Sequence, residues 1–229
     1  MKKILLTVFA AFFALAANSV KADITGIGFG VSVTTNELDT VVTDDIDSNG
    51  SIDTTQNLSD SIDGAAIFFE ATTELAGPLA VTFGVEYLPT DGDLDERSAT
   101  QATIKGSGTS STSGTNKGKA TIDDHYTYYV QPGFIIGGNT MIYGTVGYIR
   151  GDLTATWESV SSTNTTETKG FEGTKVGAGI KHVLDSGIFV KLDWSETDYD
   201  PVSYTTTNNT KVTGDIDNEV SALSIGYQF

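Results

Sequence analysis

The chain has 229 residues, with 30 Asp plus Glu against 13 Lys plus Arg, a formal net charge of −17 and no cysteine. That length holds one domain or two small ones. The charge speaks against nucleic-acid binding, which needs a basic stripe to meet phosphate. The lack of cysteine excludes disulfides, thiol nucleophiles and thiolate metal sites, and no apolar run is long enough for a transmembrane helix.

In chain order the first element is an address. Met1, Lys2 and Lys3 form a positive segment, 4–17 is apolar, and Val20-Lys21-Ala22 has the small-x-small form of a cleavage site. These features predict a signal peptide over 1–22 and a mature domain over 23–229. Removal of Lys2, Lys3 and Lys21, with no acid, takes the formal charge from −17 to −20.

Beyond that point the pattern has period two, the signature of strands. Strands are predicted near 24–33, 65–75, 79–87, 125–136, 141–150, 175–184, 188–195 and 222–229. Over 79–87, Leu79, Val81, Phe83, Val85 and Tyr87 alternate with Ala80, Thr82, Gly84 and Glu86. The strand at 141–150 is apolar on both faces, so its phase stays open. Short turns join alternate pairs: Ala76-Gly77-Pro78, Gly137-Gly138-Asn139-Thr140 and Asp185-Ser186-Gly187, whose glycine suits a left-handed position. The other four connections run to about 20–35 residues, rich in Ser, Thr, Asn, Asp and Gly. Loops that long are uncommon in compact soluble domains. An antiparallel meander gathers them all at one end.

Alternation alone does not say which face meets water. One phase is almost entirely apolar; the other is polar but for Ala66, Phe68, Ala80, Tyr129, Phe189 and Ala222. Three features put the apolar face in lipid. Short turns and long loops alternate as in outer-membrane barrels. Aromatics gather near strand ends, with Tyr87, Tyr126 and Trp194 at one end and Phe134, Tyr227 and Phe229 at the other. The polar phase is crowded with Gly26, Gly28, Gly30, Gly177 and Gly179, as a narrow lumen requires. The expected fold is all-β, an eight-stranded antiparallel up-and-down transmembrane barrel with four long extracellular loops and three short periplasmic turns.

The chain ends Ser224-Ile225-Gly226-Tyr227-Gln228-Phe229, with Leu223, Ile225, Tyr227 and Phe229 on one face. This resembles the carboxy-terminal signature strand of bacterial outer-membrane barrels. Tyr143-Gly144-Thr145-Val146-Gly147-Tyr148 is similar to their fifth strand, and Gly179 to Leu184 with Lys191 to Trp194 to their sixth and seventh. The chain therefore resembles the OmpA-like or opacity-protein-like eight-stranded family, without OmpA's periplasmic peptidoglycan-binding domain. The resemblance implies a bacterial outer-membrane location among outer-membrane lipids and lipopolysaccharide. It also implies insertion by the barrel assembly machinery, which reads Leu223, Ile225, Tyr227 and Phe229. A monomer is expected.

Eight strands leave a lumen that side chains can fill. Its predicted charges balance: Glu70, Glu86 and Asp193 against Lys175, Lys181 and Lys191. Turn lengths place Lys181 opposite Lys191 and Glu70 diagonal to Glu86. Each like-charged pair is relieved by reaching across the lumen, because an unpaired buried charge costs several kcal/mol. The expectation is a plug of ion pairs; the alternative is a small porin-like channel lined by the same residues.

The four long connections hold 24 acids and six bases. Within them, Asp45-Ile46-Asp47-Ser48-Asn49-Gly50-Ser51-Ile52-Asp53 follows the order of a calcium loop, whose oxygens at positions 1, 3, 5, 7 and 9 converge because the glycine permits a sharp turn. The ligands would be Asp45, Asp47, Asn49, Ser51 through its carbonyl, and Asp53. Gln56 stands where the bidentate Glu belongs, so affinity should be weak, about 10⁻⁴ to 10⁻³ M. No other cofactor is expected. Hydrolytic chemistry would need a base beside a nucleophile. The two histidines, His125 and His182, have no serine motif around them, and the expectation is a non-enzymatic structural or surface-interaction barrel.

Overall fold

The computed structural model describes residues 23–45, 49–89, 92–105, 111–158, 165–205 and 211–229. The proposed signal peptide at 1–22 lies outside them. Ten strands form one sheet: β1 (Gly26–Asp45), β2 (Thr54–Ala76), β3 (Leu79–Leu88), β4 (Gly92–Lys105), β5 (Ser111–Ile136), β6 (Thr140–Glu158), β7 (Thr165–Val183), β8 (Ile188–Tyr199), β9 (Val202–Thr205) and β10 (Lys211–Gln228). Eight of them pair in the order β1-β2-β3-β5-β6-β7-β8-β10, and β10 returns to β1, which closes the barrel. β4 lies against the first half of β5, and β9 against the start of β10.

The two extra strands arise from proline. β3 ends at Leu88 before Pro89, and β8 ends at Tyr199 shortly before Pro201. Proline lacks the N–H of a ladder and biases the preceding residue. Beyond each break the chain resumes pairing, with Gly92 opposite Ile122 and Val202 opposite Gly214.

Much of what the sequence predicts as loop is paired strand. β1 and β2 stay in register from Gly26 and Thr72 out to Asp44 and Thr54, and β6 and β7 out to Trp157 and Thr165. A strand of 20 residues spans about 65 Å at about 3.3 Å per residue, far beyond an apolar band about 25 Å tall. The Thr, Val and Ile content of these segments suits the pleated sheet despite their charge.

The faces are inverted relative to a soluble protein. Ile27, Val33, Phe69, Phe83, Tyr128, Phe134, Val146, Leu192, Ile225 and Phe229 are exposed on the outer surface, while Ser32, Glu70, Thr82, Thr127, Gln131, Lys181 and Lys191 are buried inside. Such a continuous apolar belt belongs in lipid. β6 takes its phase from its neighbours: Met141, Tyr143, Thr145 and Ile149 are buried in the lumen, and Ile142, Val146 and Tyr148 face outward. Tyr87 stacks on Tyr126 at 4.7 Å at one rim, and Phe29 meets Phe229 at 5.6 Å at the other. All three short turns carry a left-handed glycine, Gly77, Gly137 with Gly138, and Gly187.

Small residues let the lumen be filled. A Cβ on Gly84 would fall 2.2 Å from the Tyr129 ring, and one on Gly226 would fall 2.3 Å from Phe189. Replacing Gly84 by Val should therefore cost about 2–3 kcal/mol through overpacking. Urea unfolding in detergent micelles, followed by heat-modifiable gel migration, measures it.

Candidate functional site: the lumen and its mouth

The lumen is built in layers. At the short-turn end Ile24, Phe68, Ala80, Met141, Tyr143, Val183 and Phe189 form an apolar floor. Against it sits Glu70, projected from β2 and 1% exposed. Lys181 Nζ donates to Glu70 Oε1 at 2.7 Å and Lys191 Nζ to Glu70 Oε2 at 3.0 Å. Tyr129 donates its hydroxyl to Oε2 at 3.1 Å. Lys181 also donates to Gln228 Oε1, and Gln228 Nε2 to the Ile24 carbonyl. The ammonium of Lys181 lies 4.3 Å from the Phe189 ring centroid, and that of Lys191 5.1 Å from that of Phe68. Every polar group in this layer thus has a partner, the condition for burying charge at all.

The register has Lys181 directly opposite Lys191 and Glu70 diagonal to Glu86. Five of the six predicted lumen residues form two clusters rather than one crossed network, and Asp193 stands apart. Glu70 takes both Lys181 and Lys191. Glu86 stands with Lys175 at 3.9 Å and accepts a long hydrogen bond from Ser32 at 3.4 Å. Asp193 has no ion pair among the described residues; Tyr143 donates its hydroxyl to it at 2.6 Å. The polar phase also supplies Tyr129, Gln131 and Gln228 to this network, and Tyr143 joins it through the inner phase that pairing gives β6.

Toward the long-hairpin end the lumen opens into a cavity of about 1210 Å³. Its wall holds Glu86, His125, Thr127, Lys175, Asp193, Thr197 and Asn218 among apolar residues that include Leu38, Ile62, Leu88 and Ile149. A bulge in β5 shapes it. The pairing with β6 shifts between Asp123 and Tyr126, and Asp124 has φ 48°. A bulge re-aims neighbouring side chains, and His125 here packs against Phe171 and Tyr199 just beyond the Tyr126 rim. Its Nε2 lies 3.4 Å from the Tyr199 hydroxyl. Burial pushes the imidazole down to about 4, with Lys175 adding to the effect.

His182 faces outward, with Nδ1 2.8 Å from Thr140 Oγ1. At the β1–β2 tip, Asp45 Oδ1 accepts the Asn49 amide at 3.0 Å, Oδ2 the Gly50 amide at 2.7 Å, and Asn49 Oδ1 the Ser51 amide at 2.8 Å. Asn49, Ser51 and Asp53 are exposed, and Asp47 lies outside the described residues. Leu223, Ile225 and Tyr227 lie along β10 where it pairs with β1, with Leu223 opposite Val33 and Ile225 opposite Val31, and Phe229 just past its end donates its amide to the Ile27 carbonyl.

A family model described as "Outer membrane protein beta-barrel domain" matches residues 4–229. The chain belongs to this family. Its place is the bacterial outer membrane, with the apolar belt in lipid and the long hairpins outside. Among curated proteins none matches. Solved structures similar to this chain include the following three. Ail, the attachment invasion locus protein of Yersinia pestis, is 13% identical with a TM-score of 0.42, over 89% of this chain and 99% of Ail. OprG of Pseudomonas aeruginosa is 15% identical at 0.48, over 92% and 99%. The outer membrane protease OmpT of Escherichia coli is 7% identical at 0.49, over 93% and 100%.

Replacing Glu70 by Ala strands two buried ammonium groups and should cost about 3–5 kcal/mol, read as a lowered urea midpoint in micelles. His125 has a second consequence. Its folded pKa, about 4, lies below the usual 6.5, so its contribution to stability is complete above pH 6.5. It is lost as pH falls toward 4, because the unfolded chain takes up the proton first. His125→Gln should flatten the unfolding midpoint over that window relative to the parent chain.

Proposed function

We propose that this chain is a closed outer-membrane barrel with a structural or surface-interaction role, its lumen sealed by side-chain ion pairs and its acidic hairpins displayed to the outside. The observation that carries this reading is the Glu70 carboxylate, held across the lumen by Lys181 and Lys191 beside a cluster of packed aromatic and aliphatic side chains. A solute would have to break this satisfied network and displace Phe68, Tyr143 and Phe189. Purified protein in planar bilayers should give no steady conductance. The triple variant Glu70→Ala, Lys181→Ala, Lys191→Ala should leak if it folds. Large steady openings of the parent chain would instead establish the porin-like channel.

The hairpins carry the second part of the proposal. Glu37, Glu219 and Glu196 lie in one cross-strand row, and Asp39, Asp217 and Asp198 in the next. Like charges directly opposite destabilise a sheet unless cations intervene. Outside the membrane these rows would stand beside lipopolysaccharide, where divalent ions can bridge carboxylate and phosphate. The segment from Asp45 to Asp53, in which Asp45 and Asn49 accept the amides of Asn49, Gly50 and Ser51, is the candidate for a weak calcium site. Millimolar calcium should slow proteolysis of this hairpin and a chelator should restore cleavage. Asp47→Ala should remove the turn's share of that protection. No effect of calcium at 5–10 mM, about tenfold above the expected affinity, would end this part. The outward row at Leu223, Ile225, Tyr227 and Phe229 supports insertion by the barrel assembly machinery.

A further inference from the structure

The cavity above the plug has a chemistry that the proposed closed barrel does not use. Cross-strand register sets its polar residues in a collar around the lumen. Glu86 is opposite Thr127, Lys175 opposite Thr197, and Thr197 opposite Asn218. Asn218 Nδ2 then donates to Asn36 Oδ1 at 3.3 Å. Thr127, Thr197 and Asn218 are 1%, 3% and 7% exposed. Thr127 Oγ1, Thr197 Oγ1, Asn218 Oδ1 and His125 Nδ1 nevertheless have no hydrogen-bond partner. Buried polar atoms in folded proteins are overwhelmingly paired, and each orphan asks for a missing partner. Here four orphans line one cavity.

Their character selects the ligand. Asn218 Oδ1 accepts only, and hydroxyl oxygens and a neutral imidazole nitrogen can accept. Two carboxylates face the same space against one ammonium: Lys175 stands loosely at 3.9 Å from Glu86, while Asp193 holds only the Tyr143 hydroxyl. Lys181 and Lys191 lie below, committed to Glu70. The remaining wall, Leu38, Ile62, Leu88, Ile149 and Val220, is aliphatic. Outside, the rows of Glu and Asp at the mouth concentrate cations. We propose that the cavity is a binding site for a small aliphatic primary ammonium compound. The charged head is taken by Asp193 and Glu86, and the chain lies along the aliphatic wall toward the threonine hydroxyls. This goes beyond the plug, and binding is measured apart from conductance, so the failure of either reading shows by itself.

The full chain, refolded in detergent micelles and verified by heat-modifiable migration, should be titrated calorimetrically with n-butylamine and 1,4-diaminobutane in about 0.1 M salt, where surface electrostatics are screened. Saturable binding in the millimolar range or tighter is expected, with n-butanol and glycine at least about tenfold weaker. Asp193→Asn should weaken amine binding about tenfold or more, as loss of a charged hydrogen-bond partner does. The near-isosteric Thr197→Val and Thr127→Val should each weaken it severalfold while leaving folding intact. Asp217→Asn, on the outer face, should stay within about twofold of the parent. Absence of saturable amine binding, equal binding of n-butanol or glycine, insensitivity to both threonine variants, or an Asp217→Asn loss as large as that of Asp193→Asn would each overturn the proposal.

Discussion

One carboxylate organises the interior of this barrel. Glu70 is almost fully buried in the lumen and is met by two lysines from adjacent strands, Lys181 and Lys191. Those lysines face each other across a β7–β8 pair, a placement that would be repulsive without a shared anion. The anion in turn could not stay ionised in the lumen without them. The three residues come from opposite sides of the ring, so their mutual dependence ties β2 to β7 and β8 through the interior. Hydrogen bonds between neighbouring strands cannot supply that link.

The remaining lumen follows from this cluster and from the shortage of space. Tyr129 brings a third hydrogen bond to Glu70, and its ring occupies the place where a side chain on Gly84 would be. Phe189 supports Lys181 and fills the space left by Gly226. The glycines that mark the polar phase are therefore the complements of particular aromatic and charged side chains. Above the cluster the pairing loosens: Glu86 and Lys175 are farther apart, Asp193 relies on a tyrosine, and four polar atoms are left over. The gradient from fully satisfied to unsatisfied runs from the periplasmic floor to the extracellular mouth.

The extracellular half is continuous with the membrane half in backbone and different in chemistry. Pro89 and Pro201 break two strands, yet pairing resumes beyond each. The bulge at Asp124 bends β5 where the barrel leaves the bilayer and brings His125 into the aromatic group of Phe171 and Tyr199. Higher up, the outer face is set with rows of carboxylates. Excess negative charge is thus carried on paired strands, whose register sets its spacing.

The sequence by itself determined the class, the eight strands that close the ring and which phase faces lipid. Period-two alternation, glycine turns and the aromatic positions reflect local geometry and the demand of lipid for an apolar outer face, and both act residue by residue. It also exposed the lumen charges, because an ionisable residue in the polar phase of a narrow barrel has nowhere else to point. Three things were decided only by the closed ring. The phase of β6 was one, since Met141, Tyr143 and Ile149 are as apolar as the lipid-facing Ile142, Val146 and Tyr148, and only pairing with β5 and β7 selects the inner set. The extension of the long connections as paired strands was another, because charged, threonine-rich segments become sheet only when a neighbour in register already offers its edge. The last was the choice of partners: Lys181 and Lys191 both go to Glu70 while Asp193 goes to Tyr143. Distances across a lumen depend on shear and closure, which no single strand contains.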